Sequence, residues 1–425
     1  MEPIPQTTVS PVNNSKNSST QPVRYNPFDP NFQADPYPTY HRLHSEDPVH
    51  RTKIIADWVL TRYSDVKSIL RDRRIQSFNK PETFAKKNQY LKKQGKNIDA
   101  LVSTSERLLF YQNPQDHSRL RGLTNKAFSI SSIELMRPTI QEIVDELLAQ
   151  VLDRGHMDII SDFASILPAT MISRMLGVPR EDEAQLYQWS TILSRLLDPM
   201  VPLEEYEEMN QATKGFDEYF LQLIKQREKA PKADLISALI AAREQGDKLS
   251  LEELQATGIL LFLTASETTV NAIGNGMLAL LRNPQQLRLL KENPELISTA
   301  SEEILRYDSP LQMAVRIAGE DIEVGGKTIR QGDKIILCLG AANRDPEQFV
   351  DPDRFDITRT NNNHLAFSDG VRYCLGAALA RVEIQVAIQT LVQKLHHIQL
   401  AAEQIEWRKI LVLRSLKALP VTFVP

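Results

Sequence analysis

Residues 367–376 read Phe367-Ser368-Asp369-Gly370-Val371-Arg372-Tyr373-Cys374-Leu375-Gly376, and an apolar helical pattern begins directly after them at Ala377. A cysteine just before a helix meets unpaired backbone N–H groups and the positive helix end, which favour a thiolate. We therefore expect a lowered thiol pKa and a sulfur that serves as a metal ligand or a nucleophile. The two flanking glycines permit a tight turn and the close approach of a flat group. The alternative is a buried free cysteine in an irregular loop, the commonest fate of a lone cysteine.

The residues around the cysteine decide between these interpretations. The segment resembles the haem-binding signature of the cytochrome P450 family, in which Phe, Gly, a basic residue, Cys and Gly recur at these spacings. Five such matches would arise by chance in a chain of this size about once in ten thousand. The resemblance implies that Cys374 is the axial thiolate ligand of haem b (iron protoporphyrin IX). The family usually has Gly at the position of Ser368, so a slightly stiffer turn is predicted there.

A very long helix is predicted upstream of this loop. Ser250-Leu251-Glu252-Glu253 forms a capping-box pattern, and the helical pattern continues to about Leu281. At about 1.5 Å per residue this helix would span about 45 Å, enough to cross a domain.

An acid and several alcohols interrupt the apolar pattern of this helix at residues 264–269. From the residues alone, the simplest interpretation is that Thr268 bonds back to the carbonyl of Thr264 and bends the helix. The family resemblance implies instead that Glu267 and Thr268 are the acid–alcohol pair that delivers protons above the haem. Thr264 and Ala265 stand where the family commonly has Ala and Gly, which predicts a slightly narrower or more polar oxygen groove.

Basic side chains are needed to meet the two haem propionates. His117 and Arg121 lie one turn apart on a predicted helix, which alone is equally typical of a solvated helix face. The resemblance implies that both contact the propionates, with Arg316 and Arg372 as the two remaining basic positions.

A Glu–Arg pair, three residues apart, lies between the long helix and the cysteine loop. Such pairs are routine on helix surfaces. The resemblance implies that Glu303, Arg306 and Arg354 form the structural Glu–Arg–Arg cluster of the family.

Composition excludes several other classes of protein. The chain has 425 residues, 50 Lys and Arg against 54 Asp and Glu, and a net charge of −4, so a nucleic-acid binder with a basic surface is not expected. Two cysteines are too few for a disulfide scaffold and are typical of a reduced, intracellular protein. The second, Cys338, lies in a strand-like apolar stretch and is predicted to be an ordinary core residue.

The fold class predicted is mainly α with minor β, a single-domain cytochrome P450 fold with its long central helix over the haem. Residues 1–24 are rich in Ser, Asn, Thr, Pro and Gln, so they are predicted to be a disordered N-terminal tail, followed by one domain over 25–425. The longest apolar run, residues 259–263, is far shorter than the roughly 20 residues of a membrane span. We therefore expect a soluble, cytoplasmic protein without a membrane span.

The resemblance implies a soluble bacterial-type haem-thiolate monooxygenase of secondary metabolism, which inserts one atom of O2 into a small hydrophobic substrate by hydroxylation or epoxidation. The chain shows no flavin or iron–sulfur segment and ends about 50 residues after Cys374. We therefore expect a separate ferredoxin or flavodoxin with its reductase, with Arg372 and Arg381 as candidate contacts. Two alternatives remain open: a peroxide-using or isomerising member of the family, and a non-catalytic haem-binding sensor or carrier.

The substrate pocket is predicted from segments that are mostly apolar and therefore favour a medium or large hydrophobic molecule, such as a polyketide, terpenoid or fatty-acyl compound. These segments are residues 101–109, 193–201 and 311–315, the helix face at Leu261, Thr264 and Ala265, and the turn near Leu413.

Overall fold

The computed structural model describes residues 22–125, 128–244 and 249–424. The tail predicted over residues 1–24 lies outside this description up to residue 21. Val23, near its end, is only 6% exposed and packs in one apolar cluster with Tyr25 and Tyr40.

Helices make up most of the described chain, as predicted. The α-helices are α1 Pro30–Ala34, α2 Tyr37–Glu46, α3 Tyr63–Arg71, α4 Lys80–Lys92, α5 Asp99–Ser105, α6 Pro114–Asn125, α7 Ile130–Glu134, α8 Arg137–Ala149, α9 Ile166–Leu176, α10 Glu183–Leu193, α11 Glu205–Lys229, α12 Leu235–Glu244, α13 Leu251–Arg282, α14 Pro284–Glu292, α15 Ile297–Tyr307, α16 Leu339–Ala342 and α17 Ala377–Lys394. Short 3-10 turns include Leu109–Tyr111, Ser194–Leu197 and Gly370–Arg372, and a π-helical turn covers Ile159–Ala164.

The strands are short, as the sequence predicts. They are β1 Val49–Arg51, β2 Trp58–Leu60, β3 Ile75–Ser77, β4 His156–Asp158, β5 Met313–Ala318, β6 Ile322–Val324, β7 Lys327–Ile329, β8 Lys334–Cys338, β9 His396–Leu400 and β10 Pro420–Val424. Five of them form a sheet in the order β1-β2-β8-β5-β3, in which only β2 and β8 run parallel. In this sheet Arg316 of β5 pairs with Ile335 of β8 and with Ser77 of β3, which fixes where its side chain emerges.

The long central helix is confirmed. Helix α13 has 32 residues, and the Ser250 and Glu253 side chains cap each other's backbone N–H groups. It packs against α9, α10, α11, α15 and α17, so most of its length is buried. A Cβ on Gly276 would lie 2.7 Å from Ile304 of α15, so this glycine permits the close approach of the two helices.

The predicted Glu–Arg–Arg cluster is confirmed for two of its members and wrong for the third. Glu303 and Arg306 are fully buried, with the Arg306 Nε 2.7 Å from a Glu303 carboxylate oxygen. The second arginine is Arg359, whose Nε lies 3.1 Å from the same carboxylate. Arg354 is exposed and contributes only its backbone carbonyl, which accepts from both arginines. The loop after Pro352 turns so that the side chain of Arg359, five positions after Arg354, reaches Glu303 in the core.

Two helical stretches, Ile159–Leu176 and Leu251–Arg282, are long and apolar enough to cross a membrane by composition. The molecule itself buries 61% of the first apolar window and 83% of the second, as expected for helices of a protein core.

Candidate active site

A large cavity lies between α13 and the loop that precedes α17. Its volume is about 340 Å³, within the range of roughly 300–1,000 Å³ that is typical of ligand pockets. Its walls are mainly apolar and include Leu109, Phe110, Leu196, Leu260, Leu261, Leu311, Met313, Val315 and Leu379. The lining suits an apolar group.

Cys374 lies on the wall of this cavity, between the Gly370–Arg372 turn and α17. Its backbone N–H donates to the carbonyl of Phe367 at 2.9 Å, which closes the loop. Ser368 adopts a φ of +62°, a left-handed conformation that glycine occupies at lower cost, so the serine is held here in a strained conformation. A Cβ on Gly376 would meet no atom within 4 Å, so the backbone here faces open space.

The environment of the thiol corrects one prediction. Burial raises the pKa of Cys374, and this effect exceeds the lowering by the N–H group of Gly376 and by the charges of Arg121 and Arg381. The Cys374 side chain is nevertheless exposed to the cavity, so the enclosing protein disfavours the charge while the sulfur stays accessible to a ligand. A cation bound at the sulfur would favour the thiolate and release its proton.

The four predicted propionate residues meet at this cavity, although they come from α6, β5 and the cysteine loop. Arg121 donates to the carbonyl of Tyr373 at 2.6 Å, and Arg372 donates to the carbonyls of Phe110 and Gln112. Within the described ranges, none of the four pairs with a carboxylate.

The pKa values of two of these four residues are lowered by burial and by the positive charges of their neighbours. Burial, followed by the charges of Arg372 and Arg121, lowers the pKa of His117 to about 4. Burial and the charge of Arg372 lower the pKa of Arg316 to about 10. Three half-buried arginines and a neutral histidine, without carboxylate partners among the described residues, form a site for an anionic group.

These residues fit haem b. The cavity offers a sulfur donor, an open backbone at Gly376, apolar walls and four basic side chains that can meet two carboxylates. Arg121 would also link the propionates to the backbone of the cysteine loop, and Arg372 would link them to the segment before α6.

Thr268 lines the cavity on α13, and its hydroxyl donates to the carbonyl of Thr264 at 3.0 Å. This is the back-bond expected from the residues alone. The same hydroxyl remains at the cavity wall, so the bond does not remove it from the candidate site.

Glu267 is placed differently from its neighbour. It is 1% exposed and does not line the cavity; its carboxylate accepts from the Thr191 hydroxyl and from Arg408, both at 2.9 Å. The structure therefore brings Thr268 but not the Glu267 carboxylate to the cavity wall. Neither Thr191 nor Arg408 carries a sequence signal, because each reaches α13 only through the tertiary fold.

The remaining predictions concern the second cysteine and the lining of the cavity. Cys338 is fully buried and burial raises its pKa, as predicted for a core residue. Of residues 101–109 only Leu109 reaches the cavity, and Val412 takes the place predicted for Leu413. Lys80 also lines the cavity and is 5% exposed, although nothing in its local sequence indicates a site.

Comparison with known proteins agrees with this geometry. The family model described as "Cytochrome P450" matches residues 58–417. Among curated proteins, the chain is 41% identical over 395 residues to the "Biotin biosynthesis cytochrome P450" of Bacillus subtilis (strain 168), covering 92% of this chain and 97% of that protein. It is 35% identical over 397 residues to the "6-deoxyerythronolide B hydroxylase" of Saccharopolyspora erythraea, covering 92% and 96%.

Among solved structures, one similar to this chain is P450BioI in complex with hexadec-9Z-enoic acid ligated acyl carrier protein. The TM-score is 0.86 at 41% identity, covering 92% of this chain and 99% of the other.

Proposed function

This chain belongs to the cytochrome P450 family, and we propose that Cys374 is its haem-iron ligand and that His117, Arg121, Arg316 and Arg372 hold the haem propionates. The protein is a haem-thiolate monooxygenase that inserts one oxygen atom from O2 into an organic substrate. The observation that carries the residue assignment is the meeting of a cavity-facing cysteine with four basic side chains that lack carboxylate partners.

The haem, when bound, supplies the activation of O2, and the chain supplies binding, orientation and protons. The arginines would neutralise the propionates. Their hydrogen bonds, from Arg121 to the Tyr373 carbonyl and from Arg372 to the Phe110 and Gln112 carbonyls, join the cysteine loop to α6 and to the segment before it. The apolar walls exclude water and hold the substrate against the α13 face.

We propose that Thr268 donates protons at the cavity wall and that Glu267 supplies them from behind α13. The Thr268 hydroxyl can rotate from the Thr264 carbonyl toward the cavity without moving the backbone. Glu267 would have to leave the Thr191 hydroxyl and Arg408 before its carboxylate could reach the same side of the helix.

The electron donor is proposed to be a separate ferredoxin or flavodoxin with its reductase, acting in the cytoplasm. The surface beside the cysteine loop is the shortest route to the ligand, and Val371 is 77% exposed there. Of the predicted contacts, Arg381 is bound to both Glu302 carboxylate oxygens and Arg372 donates inward. We therefore propose that Val371 and its neighbours, rather than these two arginines, form the centre of the contact.

The substrate is proposed to be a long or bulky hydrophobic molecule. The walls of the cavity beyond the basic side chains are mainly aliphatic and aromatic, which favours an apolar molecule. The similar P450BioI structure carries a hexadecenoic acyl chain on a carrier protein, which supports an acyl chain as one such molecule.

The decisive experiment is the spectrum of the reduced protein with carbon monoxide. Thiolate ligation gives a strongly red-shifted Soret band, which we expect for the wild type and for Cys338→Ala. Cys374→Ala should lose it while retaining apolar packing elsewhere. Equal spectra for the two variants would overturn the assignment of Cys374.

A further inference from the structure

Lys80 is a buried cation in an otherwise apolar part of the cavity. It is the first residue of α4, is 5% exposed and lines the cavity together with Tyr111 and Leu196. A lysine is almost never buried to this extent unless its charge is paired. Nothing in the oxygen chemistry or in haem binding uses it.

The contacts of Lys80 are neutral. Its ammonium donates to the backbone carbonyls of Leu196 and Asp198. The Tyr111 hydroxyl donates to the same Leu196 carbonyl at 3.3 Å, so two donors converge on one oxygen at the cavity wall. An ammonium has three N–H donors, so one remains after the two carbonyls.

The nearest carboxylate is already occupied. Asp198 accepts from Arg195 at 2.6 Å and from the Val412 N–H at 3.1 Å. Arg195 also binds Glu205 at 2.7 Å, so it joins the two acids of this region. Within the described part of the chain Lys80 forms no ion pair of its own.

Burial without a direct counter-ion is costly for the charged form. It lowers the pKa of Lys80 to about 7, an effect that the charge of Asp198 opposes and that of Arg195 reinforces. An anion entering the cavity would restore the charged form and take the remaining N–H.

We propose that Lys80 binds the carboxylate of an amphiphilic substrate whose apolar body fills the rest of the cavity, assisted by the Tyr111 hydroxyl, which would turn its single O–H from the Leu196 carbonyl to that carboxylate. The inference rests on the proposed function and deepens it, because it adds one anionic end to a hydrophobic substrate. It also separates two positive regions of the cavity: the four residues assigned to the propionates, and Lys80 for the substrate.

The alternative is that Lys80 only fastens the start of α4 to residues 196–198. In that case its removal would loosen this part of the wall and weaken every hydrophobic ligand alike. The two roles differ in whether the loss depends on the charge of the ligand.

The wild-type holoenzyme gives the first test. Binding of tetradecanoic acid, 1-tetradecanol and methyl tetradecanoate is measured by the haem spin-state shift. We expect the acid to bind on the order of tenfold more tightly than the other two, because a charge-assisted hydrogen bond is made only by the acid. Equal affinities, or preference for the uncharged ligands or for an acyl chain on a carrier protein, would overturn the proposal.

Variants then locate the preference. Lys80→Met should abolish the preference for the acid while leaving alcohol binding within about twofold, and Tyr111→Phe should reduce it in part. Lys87→Met is the matched control, since Lys87 is exposed on the same helix, and it should retain the full preference. Equal loss for all three ligands in Lys80→Met would show a fastening role and overturn the proposal.

Where Lys80→Met does not fold, Tyr111→Phe and the wild-type comparison decide the same question. The carbon monoxide spectrum is recorded for every variant. A normal carbon monoxide spectrum without a preference for the acid would contradict only the proposed anion site at Lys80. A missing thiolate band would contradict the assignment of the haem ligand.

Discussion

The two cysteines show how environment decides the chemistry of one residue type. Burial raises the pKa of both thiols, but only Cys374 opens onto a cavity lined with basic side chains. Cys338 lies in the interior of the five-stranded sheet, beside Met313 in the register. Reactivity here follows from access and from cationic neighbours more than from the position before a helix.

Lys80 and Ser368 are exceptions to local rules, one a buried amine and the other a serine with a positive φ. Both lie at the cavity. Departures of this kind persist only where the surrounding structure holds them in place, and they concentrate at functional sites.

Thr268→Ala should uncouple electron use from product formation, because it removes the only hydroxyl that this position presents to the cavity. We expect the product formed per electron consumed to fall several-fold, a change of about 1 kcal/mol or more in the balance of the two outcomes. The measurement compares product with cofactor consumed, using saturating substrate.

Thr257→Ala provides the control for this prediction. The Thr257 hydroxyl makes the same type of back-bond on α13, to the Glu253 carbonyl at 2.7 Å, but does not line the cavity. Coupling should be unchanged in this variant. If both variants behaved alike, Thr268 would have only the local helix role.

At the scale of elements, the buried acid of α15 anchors the loop that follows α16. Glu303 accepts from Arg306, Arg359, Asn362 and the N–H of Asp356, so one carboxylate organises a long irregular segment. Irregular loops need such partners because their backbones lack regular hydrogen bonds.

Arg359→Met should destabilise the protein by about 3 kcal/mol, because it leaves the fully buried Glu303 with one cation fewer. Arg354→Met should change stability by less than about 0.5 kcal/mol, since the Arg354 side chain is exposed. The loss of the thiolate-haem spectrum in urea measures both. The reverse order would restore Arg354 as the second arginine of the cluster.

At the scale of the whole molecule, one buried acid should make stability depend on pH. Glu383 of α17 is fully buried at the cavity, and one of its carboxylate oxygens has no hydrogen-bond partner among the described residues. Burial raises its pKa from 4.5 to about 8. The folded state therefore holds a proton in this range that the unfolded chain releases.

The sign of the effect follows from that difference. A raised pKa contributes stability that is complete below the unfolded value and is lost as pH rises through the folded value. The melting temperature of the wild-type holoenzyme should fall between about pH 5 and about pH 9 relative to that of Glu383→Gln, whose side chain does not titrate. Parallel melting curves over this range would contradict a buried, protonated Glu383.

Local spacing in the sequence was enough to recognise the family and the long capped helix and to predict the roles of the cysteine and the basic residues. A capping box needs residues three apart, and a helix face needs residues one turn apart, so Ser250–Glu253 and His117–Arg121 are visible without a fold. The helical fold class follows from the same short-range periods.

The long-range partners of these residues are visible only in the folded structure. Arg359 replaces Arg354 because the path of a loop selects the side chain that reaches Glu303. Arg408 and Thr191 hold Glu267 away from the cavity, although 141 and 76 residues separate them from it in the chain. Lys80 lies at the cavity wall because its ammonium donates to the carbonyls of Leu196 and Asp198, which are more than 100 residues away in the chain. Such contacts depend on how distant segments pack, and no local spacing records them.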